Sequence, residues 1–202
     1  SPLRQAVADR VDREPLAIAR LLAGRYPGTP GMSYIPGVAW VHTLRLGEVT
    51  GEASWRAKVL DEIGPWLAGE RPMFGDTIRF ASVGGAMVFA ELANGSGDER
   101  AAAARLAAEA VALGAAERAP GVPEHGSGWT DDMFLGTITA SLARDAGGLD
   151  AAARLVTDYA RRLQQPDGIF HHAPDAPAAW GRGNGFAALG LAELLTALPA
   201  AH

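Results

Sequence analysis

Apolar residues recur along most of the chain at intervals of three and four, the spacing that lines one face of an α-helix, and strict two-residue alternation is scarce. Leu3, Val7 and Val11, then Leu16, Ile18, Leu21 and Leu22, place helix over Pro2 to Arg25, interrupted at Pro15 because proline breaks or kinks a helix interior. The Gly/Pro-rich stretch Gly24 to Gly31 ends it. The same spacing predicts helices over Tyr34 to Leu46 and Ala53 to Leu67, joined by the turn Gly47 to Glu52 into an αα-hairpin. Two more hairpins follow, Val83 to Leu92 with Glu99 to Leu113, and Met133 to Leu142 with Ala151 to Leu163. The run Phe186 to Leu198 adds a further helix.

Superposing Gly51-Glu52, Gly97-Asp98 and Gly148-Leu149-Asp150 gives a repeat of roughly 45 to 50 residues, a period that marks stacked supersecondary units. In each unit the first helix is the more apolar and the second carries more Arg, Glu and Asp, so the first should face inward and the second outward. The longer connections, Gly69 to Arg79, Pro120 to Trp129 and Pro166 to Arg182, each return from an outer helix to the next inner one. They must therefore gather at one end. The expected fold is all-α, a single domain over residues 1–202 with about four helical pairs, arranged as an open arc or a closed α/α toroid.

Composition narrows the function classes. Hydrophobic residues make up 48% of the chain and are dominated by Ala and Leu, which favours helix over sheet. A formal net charge of -5, with no block of Lys or Arg, argues against a nucleic-acid surface, and no apolar run is long enough to span a bilayer. The expected partner is a small molecule, with neither nucleic acid nor membrane, in a cytoplasmic location. The absence of cysteine removes disulfides and thiolate metal sites.

The loop-rich end collects Asp76, His125, Trp129, Asp131, Asp132, His172, Trp180, Arg182 and Asn184. Long loops on a rigid scaffold are the usual place for binding and catalysis. In Trp129-Thr130-Asp131-Asp132-Met133-Phe134, Thr130 is a candidate cap, and the two acids would by themselves stabilise a helix start. Trp129 gives them a second meaning, since an aromatic wall desolvates a carboxyl and turns it toward use as a general acid. From Asp167 to Phe186 a Pro-containing loop opens a helix, and Arg182 offers there a planar fork suited to a carboxylate. His171, His172 and Asp175 lack the spacing of a metal site, and Gly181, Gly183 and Gly185 follow no strand, so neither metal nor cofactor is expected. Asn94-Gly95-Ser96 reads as an interhelical turn, and Trp40, Trp55 and Trp66 as core or helix-contact residues.

The segments WTDDMF (129–134), GIFHH (168–172) and WGRGNGF (180–186) resemble, in order, three motifs of the unsaturated rhamnogalacturonyl hydrolases, glycoside hydrolase family 105, related to the unsaturated glucuronyl hydrolases of family 88. The resemblance implies an (α/α)6 toroid, of which this chain would hold about four of six pairs. It also implies hydration of the C4=C5 double bond of a 4,5-unsaturated uronic acid, without a cofactor, as in pectin degradation. Carried over by position, Asp131 would be the proton donor and water activator, with Asp76 as a second carboxylate. Trp129, Trp180, His172, Arg182, Asn184 and His125 would then bind the oligosaccharide. Phe186 departs from the family's usual Trp. A non-catalytic carbohydrate-binding or interaction module is the alternative, and a sugar epimerase a third, though that chemistry usually calls for His residues as acid and base.

Overall fold

In the computed structural model, which describes residues 1–200, Pro15 opens a new helix at its first position, where its missing N–H costs nothing. α1 (Pro2–Val11) and α2 (Pro15–Arg25) are therefore separate, and α2 lies on α3 (Tyr34–Thr50). α3 pairs with α4 (Ala53–Leu67). Gly51 ends α3 with a φ of 71°, so the expected six-residue turn shrinks to two residues. The next inner segments are α5 (Phe80–Gly85) and α6 (Met87–Ala93), followed by the outer α7 (Arg100–Ala115). Then come α8 (Asp132–Leu135) and α9 (Ile138–Ala143), the outer α10 (Ala146–Leu163), and finally α11 (Gly181–Ala197).

The fold is all-α, and the inner–outer assignment holds. Met87 to Ala90 are all buried, as a helix surrounded by others requires, whereas α10 buries Leu149, Ala152, Val156, Tyr159 and Leu163 at three- and four-residue spacing. Two inner helices expected to be continuous are broken, one at Ala86 and one at Gly136-Thr137. At the second break the Phe80 ring packs so close to Gly136 that a Cβ there would lie 2.5 Å from Phe80 Cε2, so the position takes glycine.

Glycines misled the sequence reading at two helix starts. α10 begins at Ala146, not Ala151, with the Asp145 side chain capping it by accepting from Gly148 N–H at 2.8 Å. Within the helix, position 148 takes glycine because a Cβ there would lie 2.6 Å from Val111 Cγ1. α11 likewise begins at Gly181, so the segment taken for a loop supplies its first turns. The connection 116–131 also contains a short hairpin that was not foreseen, β1 (Glu117–Ala119) with β2 (Val122–Pro123), turning at Pro120 and Gly121 (φ 70°).

α3, α6, α9 and α11 pack in succession, and two side-chain contacts, Tyr34 with Phe186 and Arg45 with Glu193, bring α11 back to α3. At one end Tyr34 meets Phe186 edge-on at 5.6 Å. Toward the other, Arg45 of α3 pairs with Glu91 of α6 (2.7 Å) and Glu193 of α11 (3.5 Å). The helices approach closely because small residues face one another, Gly37 against Gly85 and Gly190 against the backbone of Met133. A Cβ on Gly190 would overlap the Met133 carbonyl. Gly190→Ala should accordingly lower unfolding stability by about 2–3 kcal/mol, the scale of overpacking, measured as a lower urea midpoint at unchanged m.

All inner helices run from the loop-rich end to the opposite end. At the loop-rich end the long connections meet as expected: Phe80 N–H donates to the His125 carbonyl (3.3 Å), and Thr130 N–H to the His172 carbonyl (2.9 Å). No helix among the described residues is long and apolar enough to cross a membrane.

Candidate active site

The chain enters α8 through Asp131, which is 7% exposed. Its Oδ1 accepts from Arg182 Nη2 at 3.2 Å, and its Oδ2 is buried without a hydrogen-bond partner. A buried carboxylate oxygen left unpaired costs free energy, and such oxygens are rare unless a ligand or water completes them. His172 Nδ1 lies 3.8 Å from Oδ2, beyond hydrogen-bonding distance. That nitrogen is already an acceptor, because the indole N–H of Trp180, which can only donate, points at it from 3.1 Å. The imidazole proton therefore sits on Nε2.

Aromatic surfaces frame this carboxylate. The Trp129 and His172 rings are 4.9 Å apart, His172 and Trp180 are 5.3 Å apart, and the Arg182 guanidinium lies 4.0 Å over the Trp180 ring. Trp129 and Trp180 stay substantially exposed, at 46% and 39%, unlike Trp40 and Trp66, which are core residues. Exposed tryptophans beside a buried carboxylate form a surface on which a sugar ring stacks.

The structure brings Asp131, Trp129, His172, Trp180 and Arg182 together, whereas the other three candidates make no side-chain contact with Asp131. The Asn184 amide is spent on backbone, accepting from Phe170 N–H (2.9 Å) and donating to the carbonyls of Phe170 (3.0 Å) and Trp180 (3.2 Å). It clamps the 166–180 connection onto α11 and shapes the site from behind. Asp76 is exposed and makes no hydrogen bond or ion pair among the described residues. His125 contributes its carbonyl to Phe80, and no side-chain contact joins it to Asp131. Phe186 turns toward the core, stacked on Phe134 at 5.6 Å.

Sequence reasoning missed the support beneath the site. Asp132, 1% exposed, accepts from Tyr159 Oη (2.6 Å), Gly128 N–H (2.7 Å) and Ser127 Oγ (2.8 Å). This network pins the loop that carries Trp129 to the outer helix α10. Burial pushes the Asp132 carboxyl up, against the pull of those three donors, and burial together with the Asp132 charge pushes the Tyr159 hydroxyl up. Thr130, expected as a cap, does not cap. Its hydroxyl faces His172 at 3.5 Å, and α8 has no side-chain cap. The available signal was Tyr159, an aromatic with a polar tip on the inward face of α10, which must find a partner when buried.

A polar hollow of about 710 Å³ lies at the opposite end, between the last turns of α3, α6, α9 and α11. Volume and chemistry disagree here, and chemistry decides. The hollow's Arg45 is already paired with Glu91 and Glu193, and its Arg56 with Glu99, whereas the Asp131 end holds an unsatisfied reactive oxygen. Among the described residues no three His, Asp or Glu side chains come together as a metal site. No protein-family model matches the chain, and no curated protein matches it significantly.

Proposed function

We propose that this chain is a hydrolase of 4,5-unsaturated uronyl oligosaccharides, of the unsaturated galacturonyl-rhamnose type, acting without a cofactor. The observation that carries the reading is the buried, unpartnered Oδ2 of Asp131 between exposed tryptophans and one arginine. The three motifs that resemble those of the unsaturated rhamnogalacturonyl hydrolases contribute these same residues.

In this reading the sugar ring stacks on Trp129 and Trp180, and Arg182 receives the uronate carboxylate. Asp131 donates a proton to C4 of the vinyl ether, and the positive charge that develops is shared between C5 and the ring oxygen. The resulting carboxylate then accepts a proton from water as that water adds at C5. The hemiketal opens and the neighbouring sugar leaves. One group therefore serves as acid and then as base, and the second carboxylate of an ordinary glycosidase is unnecessary.

A non-catalytic carbohydrate-binding module is the second reading, favoured by the Arg182 contact that holds Asp131 in an ion pair in the free protein. Hydration destroys the conjugated chromophore and binding alone does not. Incubation with an unsaturated galacturonyl-rhamnose disaccharide should therefore abolish the ultraviolet absorbance of the uronate. Binding with the absorbance intact would replace the hydrolase by the binding module.

A further inference from the structure

Arg182 approaches Asp131 through a single nitrogen, Nη2, at 3.2 Å, and its side chain is half exposed while that of Asp131 is only 10% exposed. The contact is one-pronged, although guanidinium and carboxylate prefer a two-pronged fork. The other charged or titratable group facing Asp131 is His172, from the 166–180 connection, at 3.8 Å. Asp132 is turned away into its bonds with Tyr159, Ser127 and Gly128.

The geometry points to an exchange: in the free protein Asp131 occupies on Arg182 the place of a ligand carboxylate, and an incoming uronate takes the guanidinium and releases Asp131. This deepens the hydrolase reading and rests on it. The uronate presents two oxygens to an exposed, preorganised fork stacked on Trp180, so it can make the two-pronged contact that Asp131 does not. Once released, Asp131 loses its counter-ion, lies beside a second negative charge and is covered by the sugar. All three changes disfavour the carboxylate form, so the complex takes up one proton from solvent, carried on Asp131. The arginine contact then has two roles. It keeps the acid discharged in the empty site, and it makes the substrate's own carboxylate the signal that loads the proton. A neutral ester stacks equally well but cannot draw Arg182 away. The carboxylate requirement thus extends beyond affinity to the state of the catalytic group.

The test is calorimetric titration near neutral pH with galacturonate, a saturated uronate that cannot be hydrated, and with its methyl ester. Asp131→Asn should bind galacturonate roughly three- to tenfold more tightly than the unaltered protein, because Arg182 is freed and a like charge is removed. Its affinity for the ester should be unchanged. Titrations in buffers of different ionisation enthalpy should show uptake of close to one proton by the unaltered protein, none by Asp131→Asn, and retained uptake in His172→Gln. Equal or weaker galacturonate binding by a folded Asp131→Asn, or binding by the unaltered protein without proton uptake, overturns the exchange. If Asp131→Asn does not fold, proton uptake by the unaltered protein decides alone. Loss of chromophore without proton uptake leaves the hydrolase reading standing and removes only the exchange. Absence of both chromophore loss and galacturonate binding removes both readings.

Discussion

Asp131→Asn is expected to slow hydration of the unsaturated uronate by at least about 10²- to 10⁴-fold, the range that general acid–base catalysis contributes. The side chain caps nothing, and the helix start is held by the Asp131 carbonyl, which accepts from Phe134 N–H (3.1 Å) and Leu135 N–H (3.0 Å). Asn preserves that backbone and the size of the group, so melting temperature should hardly move while the rate collapses. An amide neither donates a carboxylic proton to C4 nor accepts one from water. Retention of more than about a tenth of the rate would transfer the acid's role to another residue. The measurement is chromophore loss at saturating substrate beside a thermal melt.

Asp132→Ala should act on stability instead, costing about 1–3 kcal/mol, because it strands the buried Tyr159 Oη and removes the partner of Gly128 N–H and Ser127 Oγ. Asp132→Asn separates charge from hydrogen bonding. Its carbonyl oxygen can take the bonds from Tyr159 and Gly128, and its NH₂ can donate to Ser127 Oγ. The folded Asp132 carboxyl titrates above its unfolded value. The folded state therefore binds the proton more tightly, and the stability this contributes is full below the unfolded pKa and lost as pH rises through the folded one. Urea unfolding across mildly acid to neutral pH should show the unaltered protein losing stability relative to Asp132→Asn as pH rises. A difference that is flat with pH, or that changes the other way, would remove burial as the dominant influence on this carboxyl. Two adjacent aspartates thus divide the work, one facing the ligand and one holding the loop.

The helices were legible because their apolar spacing is a property of each segment alone, and the hairpin repeat then fixed which faces turn inward. Helix starts at Ala146 and Gly181 were not, because glycine read as a turn former. In the fold Gly148 and Gly190 are helical residues that let neighbours approach, a need set by Val111 and Met133 far away in sequence. The cluster around Asp131 followed from motif order and from the gathering of long loops at one end. The exposure of Asp76, the clamp made by Asn184 and the pillar formed by Tyr159 depend on where side chains point, which spacing does not encode. The sequence left an open arc and a closed toroid as alternatives, and the contacts that bring α11 to α3, Tyr34 with Phe186 and Arg45 with Glu193, join opposite ends of the chain and were beyond reach.

That return of α11 to α3 sets an order of assembly. Each hairpin forms from neighbouring segments, so its loop-closure entropy is small, whereas docking α11 on α3 joins distant parts of the chain and comes late. Trp180 and Arg182 travel with α11, while Asp131 waits at α8. The chemistry is therefore completed only when α11 docks against α8 and α9. In the folded protein, a fluctuation that lifts α11 would dismantle the site while the hairpins stay intact, and amide exchange in α11 would report that opening.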